Sequence, residues 1–519
     1  MRRPTTTLTS VARTLALPVV VVVSAVLAVA LHRTGHTQGD DFALYLRQAR
    51  SIFDGDIAQV VSDNRFAVLN SDSGFSPIAY PWVWPLVLSP FVHAWGLDYD
   101  RLKLVEVGAF CLWLVLLHGI VRRRIGWWPA IALVTAVGTA PAFLAHTDQL
   151  LTEFPHLAAV AIVIWWYDRI RSDATLLTAT IAELAALGAL ITLAFNVRRE
   201  SIVLLAVVAA MIGWDVVRDA VAHRAGHASM VERSLRTVRH HWREIATPFA
   251  SFAVTAVVTQ LLLPTDLLPD NGNSSAFLDD RFSEYPGILS DQLGLGEHTA
   301  VGIAVLVVAA LGIVIGVRQR PALDGPLALL GVFSSIAIST HLRQVDRYWF
   351  QVTPWVLYFA TVAVLAVTGR LLVRHARAAM AVALAPLALL VVAHGVVLNG
   401  DIRDAREYND AGRVQSGPSN PVVAPIFDAV DTMTEPDAVI AYYRARTMTL
   451  LTDRRAFQTK QLDRILQRAD YYAERRNSTY WQPKLTTATA RDAGLVEVWS
   501  DGRWVLWRVP DQDLVTDAP

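Results

Sequence analysis

The sequence predicts an α-helical polytopic membrane protein, with about eleven transmembrane helices and outer juxtamembrane helices, joined to a small extracytoplasmic α/β domain at the C-terminus. Three observations lead there. Of the 519 residues, 53% are hydrophobic. Long apolar stretches alternate with short basic ones, and a charged tail begins near Asn399. The charges balance, with 46 Lys and Arg against 46 Asp and Glu, so no global field points to nucleic acid. The single cysteine, Cys111, excludes an intrachain disulfide and any cysteine-rich metal site.

The first apolar run, from about Leu15 to Leu31, follows Met1-Arg2-Arg3 and ends in Ala28-Val29-Ala30. That pattern resembles a signal peptide, but the run is long enough to span, and we read it as an uncleaved anchor. Spans are expected near 14–32, 103–120, 128–145, 154–167, 176–195, 201–217, 246–263, 299–317, 325–340, 351–369 and 378–398. Lysine and arginine set the orientation. With the N-terminus inside, the cytoplasmic connections hold Arg122-Arg123-Arg124, Arg169 and Arg171, Arg218 to Arg243, Arg318 and Arg320, and Arg370 to Arg377. The basic 218–243 loop, with His223, His227, His240 and His241, reads as an amphipathic helix against anionic lipid. Tyr80 to Leu97 is apolar but interrupted by Pro81, Pro85 and Pro90, so it is expected to lie in the outer interface, anchored by Trp82, Trp84 and Trp95. The domains are then 1–400, a membrane domain whose outer loop 33–102 carries an acidic motif, and 401–519, an extracytoplasmic α/β domain. In the tail, 438–443 and 504–509 read as strands, 463–475 as a helix, and Asp501-Gly502 as a hairpin turn.

Four polar constellations interrupt the apolar pattern on the outer side. Asp40-Asp41 opens an amphipathic helix on which Phe42, Leu46, Ala49 and Phe53 share a face toward the membrane surface. One acid suffices as a helix cap; two adjacent acids repel and suit a general base or a metal ligand, and both readings stay open. His146 to His156 contains Asp148 in a turn and Glu153 just before Phe154-Pro155 at the start of a span. Glu153 fits a helix N-terminus as well as a site. Asn196-Val197-Arg198-Arg199-Glu200 suits phosphate or an internal ion pair. His341 to Phe350, with Arg343, Arg347 and Tyr348, puts arginines where the topology disfavours them, so they are candidates for anionic headgroups or for pairing with Asp346. The sequence contains no Walker loop, G-x-G-x-x-G, H-E-x-x-H or G-x-S-x-G.

In their order and sidedness these features resemble the glycosyltransferase C superfamily, the membrane enzymes that use polyprenyl-phosphate sugars. The nearest likeness is to bacterial protein O-mannosyltransferases and lipid A aminoarabinose transferases. The residues that carry it are Asp40-Asp41 with Tyr45 and Ala49-Arg50, the proline-containing segment Tyr80 to Leu97, Arg101-Leu102, Glu153-Phe154-Pro155, and Arg347-Tyr348 with Pro354. The family more often has Asp where Glu153 stands. Ala79-Tyr80-Pro81 lacks a basic residue that some members carry there, so Arg198, Arg199, Arg343 and Arg347 are the expected phosphate ligands.

The resemblance implies transfer of a sugar from a polyprenyl-phosphate donor to an acceptor hydroxyl on a glycan, lipid or protein, with inversion, at the outer face of the cytoplasmic membrane. Asp40 would be the general base, with Asp41 supporting it or binding metal, and Glu153 orienting the acceptor. Tyr45, Asp148, Arg198, Arg199, His341, Arg343, Arg347 and Tyr348 would bind substrate. No cofactor follows with certainty, and a divalent metal on Asp40, Asp41 and Glu153 stays open. The rivals are a transporter or flippase for the same lipid and a non-catalytic scaffold. The topology has a direct test: a reporter fused after Pro519 is expected to be active only outside the cytoplasm. Cytoplasmic activity would overturn the orientation and, with it, an outer-facing site.

Overall fold

The structure, a computed structural model, describes residues 5–37, 39–72, 75–223, 229–265, 281–339, 345–483 and 485–510. Of the expected site residues, His341 and Arg343 lie outside them, as does His227 of the basic loop. The helices of the first half are α1 (Thr5–Leu31), α2 (Asp41–Asp54), α3 (Ile57–Asn70), α4 (Val83–Trp95), α5 (Tyr99–Ile125), α6 (Trp127–Gly138), α7 (Pro141–His146), α8 (Glu153–Asp173) and α9 (Ile181–Phe195). A 3-10 turn, Arg199–Ile202, leads into α10 (Val203–Ala222), α11 (Met230–His240), α12 (Trp242–Leu262), α13 (Arg281–Gln292), α14 (Thr299–Gln319) and α15 (Pro321–Ser339). A second 3-10 turn, Asp346–Gln351, precedes α16 (Thr353–Leu371) and α17 (Ala376–Asp410).

Among the described residues, eight helical stretches are long and apolar enough to cross a membrane: α1 from Arg13, α5, Arg199–Ala222, α12, α14, α15, α16 and α17. The three other expected spans correspond to α6 with α7, α8 and α9. The break between α6 and α7 follows from Pro141, which cannot donate to the helical ladder and holds Ala140 extended. Close helix contacts depend on glycine. A Cβ at Gly312 of α14 would stand 1.8 Å from the Phe359 carbonyl oxygen of α16, and one at Gly188 of α9 would stand 2.2 Å from that of Pro248 in α12. α17 runs past the expected boundary at residue 398 and carries the chain beyond the bundle.

Two expectations about the loop 33–102 are corrected. The apolar face of α2 rests on α4, not on lipid: Phe42, Leu46 and Ala49 form one buried cluster with Trp84, Leu88 and Val92. Trp82 and Trp84 are buried, and Trp82 donates its indole N–H to the Pro264 carbonyl at 3.0 Å, so neither serves as a surface anchor. Phe53 alone of the four stays exposed, stacked on His93.

The tail contains α18 (Ala424–Met433), β1 (Val439–Ala441), α19 (Ala445–Thr452), β2 (Arg455–Phe457), α20 (Leu462–Arg468), β3 (Tyr471–Arg475), α21 (Thr487–Asp492), β4 (Val496–Ser500) and β5 (Trp504–Arg508). The sheet order is β2-β1-β3-β5-β4, with β1 parallel to β2 and β3, and β5 antiparallel to β3 and β4. The expected helix 463–475 ends at Arg468 and its last third is β3. Tyr471 and Ala473 pack on one face of the sheet and Tyr472 on the other, the period of a strand buried on both sides. At the hairpin, the Asp501 carboxylate accepts from the Arg503 and Trp504 amides, and Gly502 takes φ 87°.

At the end of the bundle away from the tail lies a buried ion network. Arg124 of α5 meets Asp168 of α8 at 2.5 and 2.7 Å and Asp324 of α15 at 3.4 Å, all three side chains fully buried. Tyr358 of α16 donates to Asp324 at 2.7 Å, and Arg320 joins at 2.9 Å. Arg124→Ala is expected to destabilise the folded bundle by about 3–5 kcal/mol, read as a lower thermal midpoint in detergent, because buried Asp168 loses its ion-pair partner and Asp324 loses one of two. Combining Arg124→Met with Asp168→Leu is expected to recover most of that loss.

Candidate active site

Of the expected site residues, Asp41, Tyr45, Glu153, Arg198, Arg347 and Tyr348 converge at the end of the bundle that carries the tail. Glu153 is the first residue of α8 and is buried. Its Oε1 meets Arg198 Nη1 at 2.9 Å and Arg347 Nε at 3.1 Å, and its Oε2 lies 3.5 Å from His146 Nε2. Arg198 is also held by Glu200 at 2.9 Å, so one of its two carboxylate partners is local and the other is remote. The Tyr348 ring lies 5.0 Å from the Arg198 guanidinium and 5.7 Å from that of Arg347. Arg347 closes the group: its Nη2 lies 3.6 Å from Asp41 Oδ2. Burial disfavours its charge, but Glu153 and Asp41 more than compensate and raise its pKa.

The two aspartates face different partners. Asp41 keeps 40% of its side chain exposed, and its Oδ1 accepts from Tyr80 Oη at 2.6 Å. Asp40 occupies the N-cap position of α2, yet its side chain makes no capping bond. Its Oδ1 accepts from Thr447 N at 3.3 Å and Thr447 Oγ1 at 3.2 Å, and its Oδ2 is buried without a hydrogen-bond partner. Burial pushes the Asp40 carboxyl above its ordinary range, while Arg444, Arg446 and the Thr447 bonds pull it back. The acidic pair is therefore split between two surroundings, with only Asp41 in the cluster with Arg347.

Tyr45 joins the group through its ring, buried 4.5 Å from the ring of Tyr80. Asp148 does not. Its carboxylate accepts from the fully buried Lys103 at 2.7 Å, from the Arg33 amide at 3.3 Å and from Gln415 at 2.9 Å, and so fastens the tail to the bundle. Arg199 turns away as well: its guanidinium lies over the Phe195 ring and bonds to Thr265. Asp40, Asp41 and Glu153 do not fit a shared metal. The Arg347 guanidinium stands between Asp41 and Glu153, and Asp40 points to Thr447. Among the described residues no group of three His, Cys, Asp or Glu side chains is arranged for an ion.

Reasoning from the sequence missed the contribution of the tail. Arg446 donates to Asn64 Oδ1 at 3.1 Å, Tyr80 Oη at 3.2 Å and the Pro77 carbonyl at 2.8 Å, and lies 3.9 Å from Asp41. Arg444, Arg446 and Thr447 follow the end of β1; two arginines in the otherwise apolar run 438–451 were the available signal.

No protein-family model matches the chain, and no curated protein matches it in sequence. Its fold is similar to those of solved structures of ArnT and of archaeal oligosaccharyltransferase. The structure of ArnT from Cupriavidus metallidurans bound to undecaprenyl phosphate superposes with a TM-score of 0.53 at 13% identity, over 95% of this chain and 98% of that one. The archaeal oligosaccharyltransferase AglB from Archaeoglobus fulgidus, in complex with an inhibitory peptide and a dolichol-phosphate, gives 0.54 at 10% identity over 96% and 75%. The Archaeoglobus fulgidus oligosaccharyltransferase tethered to an acceptor peptide gives 0.53 at 11% identity over 90% and 70%. The chain is a multi-pass membrane protein of this fold.

The role of Asp148 as a fastener is testable. Asp148→Ala leaves the buried Lys103 without its nearest carboxylate and is expected to cost about 3 kcal/mol of stability. It should also speed proteolysis of the 411–423 connection. An unchanged thermal midpoint and cleavage rate would show that Asp148 does not hold the tail.

Proposed function

We propose that the chain is a glycosyltransferase of the cytoplasmic membrane that moves a sugar from a polyprenyl-phosphate donor to an acceptor hydroxyl on the outer face, with inversion. The observation that carries this reading is the Asp41–Arg347–Glu153–Arg198 cluster: an accessible carboxylate beside two arginines at one end of an apolar bundle. There a lipid phosphate can meet guanidinium groups while its chain stays among helices. The fold it shares with ArnT bound to undecaprenyl phosphate supports the same donor chemistry.

Of the two aspartates, Asp41 is favoured as base over Asp40, because access precedes basicity. Asp41 is open and lies next to Arg347. The Asp40 oxygens are either bonded to Thr447 or buried. In the proposed step Asp41 takes the proton of the acceptor hydroxyl, whose oxygen attacks the anomeric carbon. The bond from that carbon to the phosphate oxygen breaks, and its electron pair leaves on the polyprenyl phosphate. Arg347 and Arg198 stabilise the charge that develops there. Among the described side chains the cluster is balanced: Arg198, Arg347 and Arg446 offset Asp41, Glu153 and Glu200. An added phosphate calls for further positive charge, which His341 and Arg343, close to Arg347 in the chain, are suited to supply. The acceptor is a glycan, lipid or protein hydroxyl, and the tail lies outside the cytoplasm.

Asp41→Asn preserves size but removes the base, and is expected to lower turnover at least about a hundredfold with donor affinity nearly kept. Turnover is read, with a cell-envelope extract as the source of acceptor hydroxyls, as release of undecaprenyl phosphate from undecaprenyl-phosphoryl mannose, glucose, galactose or arabinose. Wild-type turnover in folded Asp41→Asn would remove this base; a transporter or scaffold would likewise be indifferent to the change. Arg347→Ala is expected to weaken undecaprenyl phosphate binding by about 1.5–3 kcal/mol, and unchanged binding in a folded variant would reject the phosphate role.

A further inference from the structure

We infer that the C-terminal domain completes the active site: Arg446 through Tyr80, and Thr447 through Asp40, are positioning residues that set the direction of the Asp41 carboxylate. The inference rests on Asp41 as the base and goes beyond it by assigning the tail a part in the reaction.

The hydrogen-bond chain has a single possible sense. Arginine only donates and an ionised carboxylate only accepts. Between them, the Tyr80 hydroxyl accepts from Arg446 Nη1 at 3.2 Å and donates its one proton to Asp41 Oδ1 at 2.6 Å. If Arg446 is withdrawn, the Tyr80 proton is free to turn elsewhere, and Asp41 loses its fixed partner on the Oδ1 side. Arg446 itself has little freedom. It is buried, its Nε and Nη2 are bonded to Asn64 and the Pro77 carbonyl, and its plane lies over the Phe75 ring at 4.5 Å. The Asn64 amide donates to the same Pro77 carbonyl at 2.8 Å, so α3, the segment before α4 and α19 meet at one point.

Thr447 acts on the neighbouring residue. Its amide and hydroxyl reach Asp40 Oδ1, and the hydroxyl also lies 3.1 Å from the Gly39 carbonyl. Because Asp40 immediately precedes α2, this contact fixes where the helix begins and which way Asp41 leaves it. Asp41 is then held on one side by Tyr80 and faces Arg347 on the other. A contact whose sole task was to dock the tail would not need to run through a half-exposed carboxylate. The remaining seam contacts show that docking is supplied elsewhere: Arg455 pairs with Asp63 at 2.9 Å, Arg464 with Asp72 at 3.4 Å, and Arg50 with Asp453.

The test is a double-mutant cycle on the full-length protein, using Tyr80→Phe and Arg446→Lys. Turnover is followed as release of undecaprenyl phosphate from whichever of undecaprenyl-phosphoryl mannose, glucose, galactose and arabinose the wild type uses fastest. Each single change is expected to lower kcat on the order of tenfold, from misdirection of the base. Undecaprenyl phosphate affinity and the donor KM should stay within about twofold, and the double variant should be no more than about twofold slower than the slower single one. Thr447→Val should lose activity and Thr447→Ser keep it. Wild-type kcat in folded Tyr80→Phe, or fully additive losses in the cycle, would overturn the positioning role. If Asp41→Asn is inactive while Tyr80→Phe is not, this inference fails and the base assignment stands. If Asp41→Asn is active, the base assignment fails. A structure of Tyr80→Phe gives an answer independent of turnover: a rotated Asp41 carboxylate is expected, and an unmoved one would overturn the inference.

Discussion

The interaction on which the rest depends is the pairing of buried Glu153 with Arg198 and Arg347. A carboxylate at the head of a membrane helix, largely shut off from water, carries a cost of several kcal/mol unless cations reach it. The three residues come from α8, from the turn after α9 and from the turn before α16, which are far apart in the chain. Satisfying one carboxylate therefore brings three hairpins of the bundle to a common end. Tyr348 lies beside both guanidinium groups and helps keep them in register. Because Arg347 also reaches Asp41, the extramembrane helix α2 is drawn to the same point.

A second charged layer at the far end gives the bundle its other fixed boundary. Arg124, Asp168 and Asp324 join α5, α8 and α15, and Tyr358 adds α16. Between the layers lies the large apolar core of α5, α6, α8, α9, α10 and α16, in which Trp113, Phe143, Phe154 and Phe350 form a stack running up to Glu153. The core supplies non-directional attraction and the two ionic layers supply register, since a shift of one helical turn would strand charges in hydrocarbon. On the proposed reading, this makes the arginines of the site rigid before any substrate arrives, which is the condition for electrostatic stabilisation of a leaving phosphate.

The tail is not an appendage on a linker. Gln415 reaches Asp148 and the Arg33 and Gly35 carbonyls, α19 sits on the start of α2, and β2 lies against α3. These contacts bury polar groups of both parts at a shared seam, where each part supplies hydrogen-bond or ionic partners to the other. That dependence links the folding of the small sheet to the geometry around the acidic pair.

Much was legible in the chain by itself. Apolar runs near the length of a bilayer, proline breaks and the placement of arginine determined the helical membrane architecture, because lipid tolerates no unpaired backbone and few free charges. Short apolar runs rich in β-branched and aromatic residues also marked β1 and β5 as strands, whereas β3 was hidden behind a helical start at Leu462. The sequence singled out Asp41, Glu153, Arg198, Arg347 and Tyr348, since ionised groups at a membrane boundary call for partners. The resemblance put Asp40 first as the base, but nothing in the pair itself tells Asp40 from Asp41. Adjacent side chains at a helix start diverge by roughly 100°, so one of any such pair must face away from a given neighbour. Which one does depends on what packs against the helix, and here the C-terminal domain takes Asp40 and leaves Asp41 to Arg347. In the same way only the tertiary structure decided that Asp148 and Arg199 lie apart from the Asp41–Arg347 cluster and that Arg446 and Thr447 meet Asp41 and Asp40. Hydrogen bonds join groups by position in space: Arg446 lies 366 residues from Tyr80 along the chain, and Thr447 lies 407 from Asp40.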